Sequence, residues 1–158
     1  SFTTEETGGI IGNGDITMDW IVHVLKRTVD TQYRTKADRR HTFLAGSSMG
    51  GLMTLYGLLA YPEVFSRGAA LSPSLWIDAE KVKAMIRHAR VKRNTVLYMD
   101  YGALEFADHP HSRSLFAEVS ALLIEKRVLL NSRIVPRGTH CEASWEKQIP
   151  FFMKTLFE

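Results

Sequence analysis

Cysteine and net charge are both scarce in this sequence. A single cysteine, Cys141, stands among 158 residues, so neither an internal disulfide nor a cysteine-based zinc site is expected. Lys and Arg number 20 against 17 Asp and Glu, and an excess of three does not call for a polyanionic partner such as nucleic acid. Hydrophobic packing must therefore stabilise the fold.

Long apolar runs and an N-terminal signal are also absent. No run approaches the roughly 18 apolar residues that a membrane span needs. Residues 1–6, SFTTEE, have neither the cationic nor the apolar region of a secretory signal. We expect no membrane association and a cytoplasmic location. Because the chain begins with Ser1 rather than Met, removal or processing of a natural N-terminus would have taken any targeting signal with it.

The composition is that of an ordinary globular protein. Apolar residues make up 45% of the chain and charged residues 23%, with 11 glycines and 5 prolines, which predicts a single domain. Gly8-Gly9 and Gly12-Asn13-Gly14 indicate a loop or extension over residues 1–14. The domain is expected over residues 15–158.

Hydrophobic periodicity predicts strands that alternate with helices. Parallel neighbours need crossover connections, so this alternation favours an α/β fold, a parallel sheet with helices on both faces. Ligands of such sheets collect beyond the carboxyl ends of the strands, and residues that directly follow strands are the functional candidates. The expected strands lie near 41–45, 68–71, 95–99 and 132–135, and the expected helices near 17–33, 52–61, 78–90, 111–128 and 145–157.

A glycine-serine turn follows the first predicted strand. Gly46-Ser47-Ser48-Met49-Gly50 fits the pattern G-x-S-x-G, in which a strand turns abruptly into a helix and flanking glycines remove side chains that would collide. Ser48 would then stand at the top of the sheet, and the N–H of Met49 could donate to an oxyanion. We interpret Ser48 as a nucleophile; the alternative is only a tight turn.

A serine hydroxyl needs a base, and the base needs a carboxylate to orient it. The expected chain order is serine, acid, histidine. His140 follows the last predicted strand on a loop that contains glycine, so it is the candidate base. Each of the remaining histidines considered has a structural interpretation: His23 and His88 lie in predicted helices, and His41 begins a strand.

Two carboxylates follow the third predicted strand, in Asp100-Tyr101-Gly102-Ala103-Leu104-Glu105. Glu105 lies beyond a glycine turn and has more freedom to project sideways. Asp100 at the strand tip can equally cap the turn by accepting hydrogen bonds from backbone amides. We favour Glu105 as the acid, keep Asp100 as the alternative, and keep as a third alternative that neither serves.

Other chemistry-bearing residues have weaker patterns. Trp76 and Tyr101 are candidate substrate-binding residues, with Phe106 beside them, although aromatic residues at strand ends often serve packing alone. His109-Pro110-His111 resembles half of a metal site without a third ligand, so a solvated loop is expected. The basic run over residues 81–93 predicts a solvated helix face. Trp145 and Phe151-Phe152 share the spacing of one helix face and are assigned to the core.

Five segments carry a family resemblance: GSSMGGL at 46–52, YPEVF at 61–65, LSPSLW at 71–76, YGALE at 101–105 and GTHCEASW at 138–145. Together they resemble the "Putative esterase" family of α/β-hydrolases, which contains enterochelin and other siderophore esterases, S-formylglutathione hydrolase, feruloyl and acetylxylan esterases, and mycolyltransferases. The resemblance runs from about residue 15 to the end. It implies Ser48 as nucleophile, His140 as base, Glu105 as acid and Met49 as one oxyanion amide, with a small-molecule ester as substrate and no metal or cofactor.

The resemblance covers only the C-terminal part of that family. Its members carry further strands and a second oxyanion loop before the segment equivalent to residues 15–34, and nothing here corresponds to them. The expected function is ester hydrolysis through an acyl-enzyme, although transfer to another alcohol would use the same residues. The alternative is a catalytically silent α/β module or a fragment of a larger esterase.

An incomplete sheet would leave one strand edge unpaired. Open edges pair with other chains, so we expect a homodimer, a missing N-terminal segment that completes the sheet, or low solubility. Size-exclusion chromatography with light scattering measures this directly. A monodisperse monomer would contradict the expected self-association.

Overall fold

The computed structural model describes residues 12–108 and 110–158. Most of the predicted N-terminal loop or extension, residues 1–11, lies outside the described residues. His109 of the predicted His109-Pro110-His111 loop lies outside them as well.

Four parallel strands form one sheet in the order β1-β2-β3-β4. Ser47, Leu71 and Asp100 are in register, so the carboxyl ends of the first three strands meet at one edge. The predicted parallel sheet is therefore confirmed. The strands are β1 (Phe43–Ser47), β2 (Arg67–Leu71), β3 (Val96–Gly102) and β4 (Leu129–Val135).

Two strands start more than one residue away from the predicted position. Strand β1 starts two residues late because Asp38 accepts a hydrogen bond from the Arg40 N–H and caps a 3₁₀ turn at Arg39–His41. Strand β4 starts three residues early, at Leu129. It is an edge strand in which every residue is exposed or half-buried, so it lacks the apolar alternation on which the prediction depended.

The predicted helices are present, with two changes. The short helix α4 in the turn after β3 was not predicted, and the C-terminal helix is divided into three pieces. No helix of the described part of the chain is both long and apolar enough to cross a membrane. The helices are α1 (Gly14–Trp20, a π-helical turn at Ile21–Leu25, then Lys26–Gln32), α2 (Met49–Ala60), α3 (Ala79–His88), α4 (Glu105–Asp108), α5 (Ser112–Glu125), α6 (Glu142–Trp145) and α7 (Ile149–Phe157), with 3₁₀ turns at Leu75–Asp78 and Glu146–Gln148.

The helices cover both faces of the sheet, as predicted. Leu55 of α2, Val82 of α3 and Val119 of α5 are fully buried in one core cluster. The strands lie in the sheet in the order in which they follow along the chain. Right-handed crossovers between such strands place the connecting helices on the same face. On the other face, Leu156 of α7 packs in a smaller cluster with Tyr98 of β3.

The outer edge of β1 is unpaired among the described residues, and helix α1 carries an exposed apolar surface. No described residue pairs with the outer edge of β1, and Ala45 within that strand is exposed. Helix α1 buries Met18 in the core cluster that contains α2. Self-association or a completing segment at this edge stays a prediction. The exposed apolar side chains of α1 are Ile16, Trp20, Val24, Leu25 and Val29.

The sequence-based assignment of the C-terminal aromatics to the core is wrong for Phe151. Its side chain is 48% exposed, and the Arg133 guanidinium lies 4.0 Å from the centre of its ring. Phe152 packs against the buried Tyr98 instead. The 3₁₀ turn at Glu146–Gln148 changes the helical phase, so spacing counted from Trp145 does not continue into α7.

Candidate active site

Ser48 occupies the sharp junction between β1 and α2. Its backbone has φ 54° and ψ −120°, a strained conformation for a residue other than glycine. The Ser48 N–H donates to the Leu71 carbonyl at 2.9 Å, and the Ser48 carbonyl accepts from the Leu52 and Ser74 N–H groups at 3.1 Å each. The start of α2 and the end of β2 therefore hold the serine in place.

Close backbone approach explains one of the two glycines that flank Ser48. A Cβ on Gly46 would lie 2.5 Å from the Gly50 carbonyl carbon and oxygen, so a side chain there would collide. A Cβ on Gly50 would meet nothing within 4 Å. The sequence argument that both glycines avoid a collision is thus wrong for Gly50. The second tight position is Gly51, whose Cβ would lie 3.0 Å from the Leu71 carbonyl oxygen.

A continuous chain of hydrogen bonds joins three predicted residues. His140 Nε2 lies 2.8 Å from Ser48 Oγ, and His140 Nδ1 lies 2.7 Å from Glu105 Oε2. A carboxylate only accepts hydrogen bonds, so the imidazole proton is placed on Nδ1. Nε2 then has a free lone pair for the Ser48 proton, which is the arrangement that a general base requires.

The structure brings Glu105, not Asp100, to His140. The Glu105 side chain is almost fully buried, and its Oε1 accepts the Gly102 N–H and the Ser72 hydroxyl at 2.7 Å each. Asp100 instead accepts the Tyr98 hydroxyl at 2.8 Å and the Ser72 N–H at 3.1 Å. Burial is the main cause that raises the pKa of the Asp100 carboxyl above its ordinary value.

Gly102 and Gly138, which the sequence analysis used only as signs of turns, bring the acid and base loops together. A Cβ on Gly102 would lie 2.5 Å from the Gly138 carbonyl carbon and oxygen, so the two backbones cross in direct contact. The Leu104 N–H also donates to the Gly138 carbonyl at 3.0 Å. The available signal was a glycine at the end of β3 and another three residues beyond β4.

Helix α2 begins directly after Ser48, so its first amide groups lie beside the serine. Met49 is its first residue, and the first N–H groups of a helix have no acceptor within the helix. This placement suits the predicted oxyanion role of the Met49 amide. Ser74, a residue that the sequence analysis missed, places its hydroxyl 3.3 Å from Ser48 Oγ and is itself buried.

The two predicted substrate-binding aromatics have different environments. Tyr101 is 2% exposed and stacks on Phe106 with ring centres 5.2 Å apart. The prediction that Tyr101 contacts substrate is therefore wrong, because its side chain points into the core toward Phe116 of α5. Trp76 is half-buried in the 3₁₀ turn at Leu75–Asp78, and its role in binding substrate stays a prediction.

Trp145, assigned from the sequence to the core, also belongs to the site. Its indole N–H donates to Ser72 Oγ at 3.0 Å, and its ring stands edge-on to the His140 ring with centres 5.0 Å apart. Helical spacing revealed its partial burial but not these contacts. Within residues 12–108 and 110–158, no three His, Cys, Asp or Glu side chains cluster as a metal site would require.

Comparison with known proteins gives consistent matches. The model of the family described as "Putative esterase" matches residues 14–153. Iron(III) salmochelin esterase of Escherichia coli O6:H1 strain CFT073 is 35% identical over 78 residues, which are 49% of this chain and 19% of that protein. A serine hydrolase from Shewanella oneidensis described as IroE-like has a TM-score of 0.72 at 20% identity, over 94% of this chain and 50% of its own. Enterochelin esterase of Shigella flexneri has a TM-score of 0.71 at 22% identity, over 89% and 37%.

These matches have two consequences. At such identities the two structural matches establish the fold, a helix-flanked parallel sheet of the α/β-hydrolase type. The chain spans half or less of the length of each of the three proteins.

Proposed function

The chain belongs to the "Putative esterase" family, and from this membership we propose that it hydrolyses a carboxylic ester by a serine-dependent mechanism with an acyl-enzyme intermediate. The observation that carries the proposal is the unbroken hydrogen-bond chain from Ser48 through His140 to Glu105. Such a chain lets an otherwise weakly nucleophilic hydroxyl lose its proton as it attacks.

The proposed reaction has two halves. Ser48 Oγ attacks the ester carbonyl while its proton passes to His140 Nε2, and the carbonyl oxygen becomes an oxyanion facing the Met49 N–H. When the tetrahedral intermediate collapses, the leaving alcohol takes that proton from Nε2. Water then attacks the acyl-serine with the same base, which releases the carboxylic acid and restores Ser48.

Glu105 serves both halves without touching substrate. While the imidazole holds the extra proton it is cationic, and the carboxylate 2.7 Å from Nδ1 stabilises that charge. The carboxylate is buried whereas His140 is 41% exposed. The base is therefore accessible to substrate while its orienting group is shielded from competing water.

We propose a small-molecule ester as the substrate. Two of the proteins that match this chain are named as an iron(III) salmochelin esterase and an enterochelin esterase. The first of these names favours the ester of an iron(III)-binding compound here. Trp76, half-buried after the end of β2, is the aromatic residue proposed to contact the substrate.

A fluorophosphonate probe tests the nucleophile directly. The probe reacts only with a serine whose proton is removed during attack, so we expect one label, on the peptide that contains Ser48. Peptide mass spectrometry locates it. Ser48→Ala should remove the label, and Ser47→Ala, the adjacent serine in β1, should retain it. Absence of label on Ser48, or a label that survives Ser48→Ala, would overturn the proposal.

A catalytically silent α/β module is the second candidate. It is favoured by the observation that the chain spans half or less of the three proteins described above. Loss of one oxyanion donor typically lowers turnover about 10²–10³-fold, so a slow enzyme and a silent one must be separated by measurement. Equal turnover of p-nitrophenyl acetate and butyrate by this chain and by Ser48→Ala would favour the silent module.

A further inference from the structure

We infer that Ser72 and Trp145 are positioning residues that fix the orientation of Glu105, an inference that rests on the proposed function. Neither side chain hydrogen-bonds to Ser48 or to a ring nitrogen of His140. Ser72 bonds Oε1 of Glu105, the oxygen that does not face His140, and Trp145 bonds Ser72 in turn. Their contribution passes entirely through Glu105 and through the packing of the imidazole.

Ser72 follows β2 in an unusual backbone conformation. Its φ is 41°, in the left-handed region that favours glycine, and its side chain is 1% exposed. The Ser72 N–H lies 3.1 Å from both the backbone carbonyl and the Oδ1 atom of Asp100. These contacts hold the strained residue in place and set its hydroxyl 2.7 Å from Glu105 Oε1.

The direction of each hydrogen bond follows from the chemistry of its donor. The indole of Trp145 can only donate, so Ser72 Oγ accepts at 3.0 Å. The single hydroxyl proton of Ser72 is then left to donate to Glu105 Oε1. The Gly102 N–H donates to the same oxygen at 2.7 Å. With two donors on Oε1, the other oxygen of the carboxylate is the one presented to His140.

Trp145 also contacts the base that this carboxylate orients. Its ring stands at 85° to the imidazole, with centres 5.0 Å apart. One side chain therefore restrains the imidazole by its edge and orders the Ser72 hydroxyl by its N–H. Removing the N–H while keeping an aromatic ring separates these two effects.

Two substitutions remove these hydrogen bonds and should preserve the fold. Ser72→Gly removes the hydroxyl, and glycine adopts φ 41° with less strain, so the fold should be retained. Trp145→Phe removes the N–H and keeps a ring beside His140. We expect Ser72→Gly to lower both kcat and the rate of fluorophosphonate labelling by about 10- to 100-fold, and Trp145→Phe by less, with KM within about twofold.

The double variant gives the sharpest readout. Because the Trp145 N–H acts through the Ser72 hydroxyl, Ser72→Gly/Trp145→Phe should be no slower than Ser72→Gly alone. If the two side chains had independent packing roles, their fold-losses in kcat would multiply and their decreases in Tm would add. Multiplied losses, or labelling of Ser72→Gly within twofold of the wild-type rate, would overturn the inference. If the wild-type chain is not labelled at Ser48, the proposed function fails instead.

Discussion

Replacing His140 with asparagine is expected to lower kcat for p-nitrophenyl acetate by about 10⁴-fold or more. His140 Nε2 is the acceptor 2.8 Å from Ser48 Oγ, and asparagine offers no group that takes up a proton at neutral pH. The substitution exchanges one half-exposed polar side chain for another, so the fold should be preserved. Steady-state kinetics together with thermal unfolding would measure both effects.

A second histidine supplies the matched control. His88 lies at the last residue of α3, where its ring bonds the Ala84 carbonyl within the same helix. His88→Asn should leave kcat within about twofold, because no step of the mechanism uses that ring. If His140→Asn retained a tenth or more of the wild-type kcat, the imidazole at position 140 would not be the base.

The parts of this molecule that could be predicted from sequence are those with local patterns. The junction at Ser48 was recognisable because a strand, a small residue at position 46 and a helix follow one another directly in the chain. The parallel order of the strands likewise follows from their alternation with helices and from the handedness of crossovers. Each of these signals lies within a few consecutive residues or repeats at a fixed period.

The parts that could not be predicted depend on contacts between distant segments. Spacing alone left Glu105 and Asp100 as alternatives, because the choice depends on where Gly102 meets Gly138 and on the Ser72 hydroxyl. Trp145 carried a burial signal in its helical spacing, but its hydrogen bond spans 73 positions along the chain. Phe151 was misplaced because a 3₁₀ turn, invisible to periodicity, rotates the last helix.

Exchanging Glu105 for glutamine is expected to lower kcat by about 10⁴-fold, although the side chain keeps its size and the positions of its two terminal heavy atoms. The Ser72 hydroxyl and the Gly102 N–H both donate to Oε1, so the new carbonyl oxygen must occupy that position. The new NH₂ group then faces His140 Nδ1. Nδ1 becomes an acceptor, the imidazole proton moves to Nε2, and Ser48 loses its base.

The alternative acid is tested by the same exchange at Asp100. Asp100→Asn should lower kcat by less than about tenfold, since this carboxyl bonds Tyr98 and the Ser72 backbone and makes no bond to the imidazole. Glu146→Gln, at the exposed first residue of the 3₁₀ turn that precedes α7, serves as the neutral reference and should leave kcat unchanged. Stopped-assay kinetics on the three variants at one pH are sufficient. If the larger loss occurred at Asp100, the imidazole would be oriented from the end of β3 itself; comparable small losses at both positions would mean that a serine and histidine alone perform the chemistry.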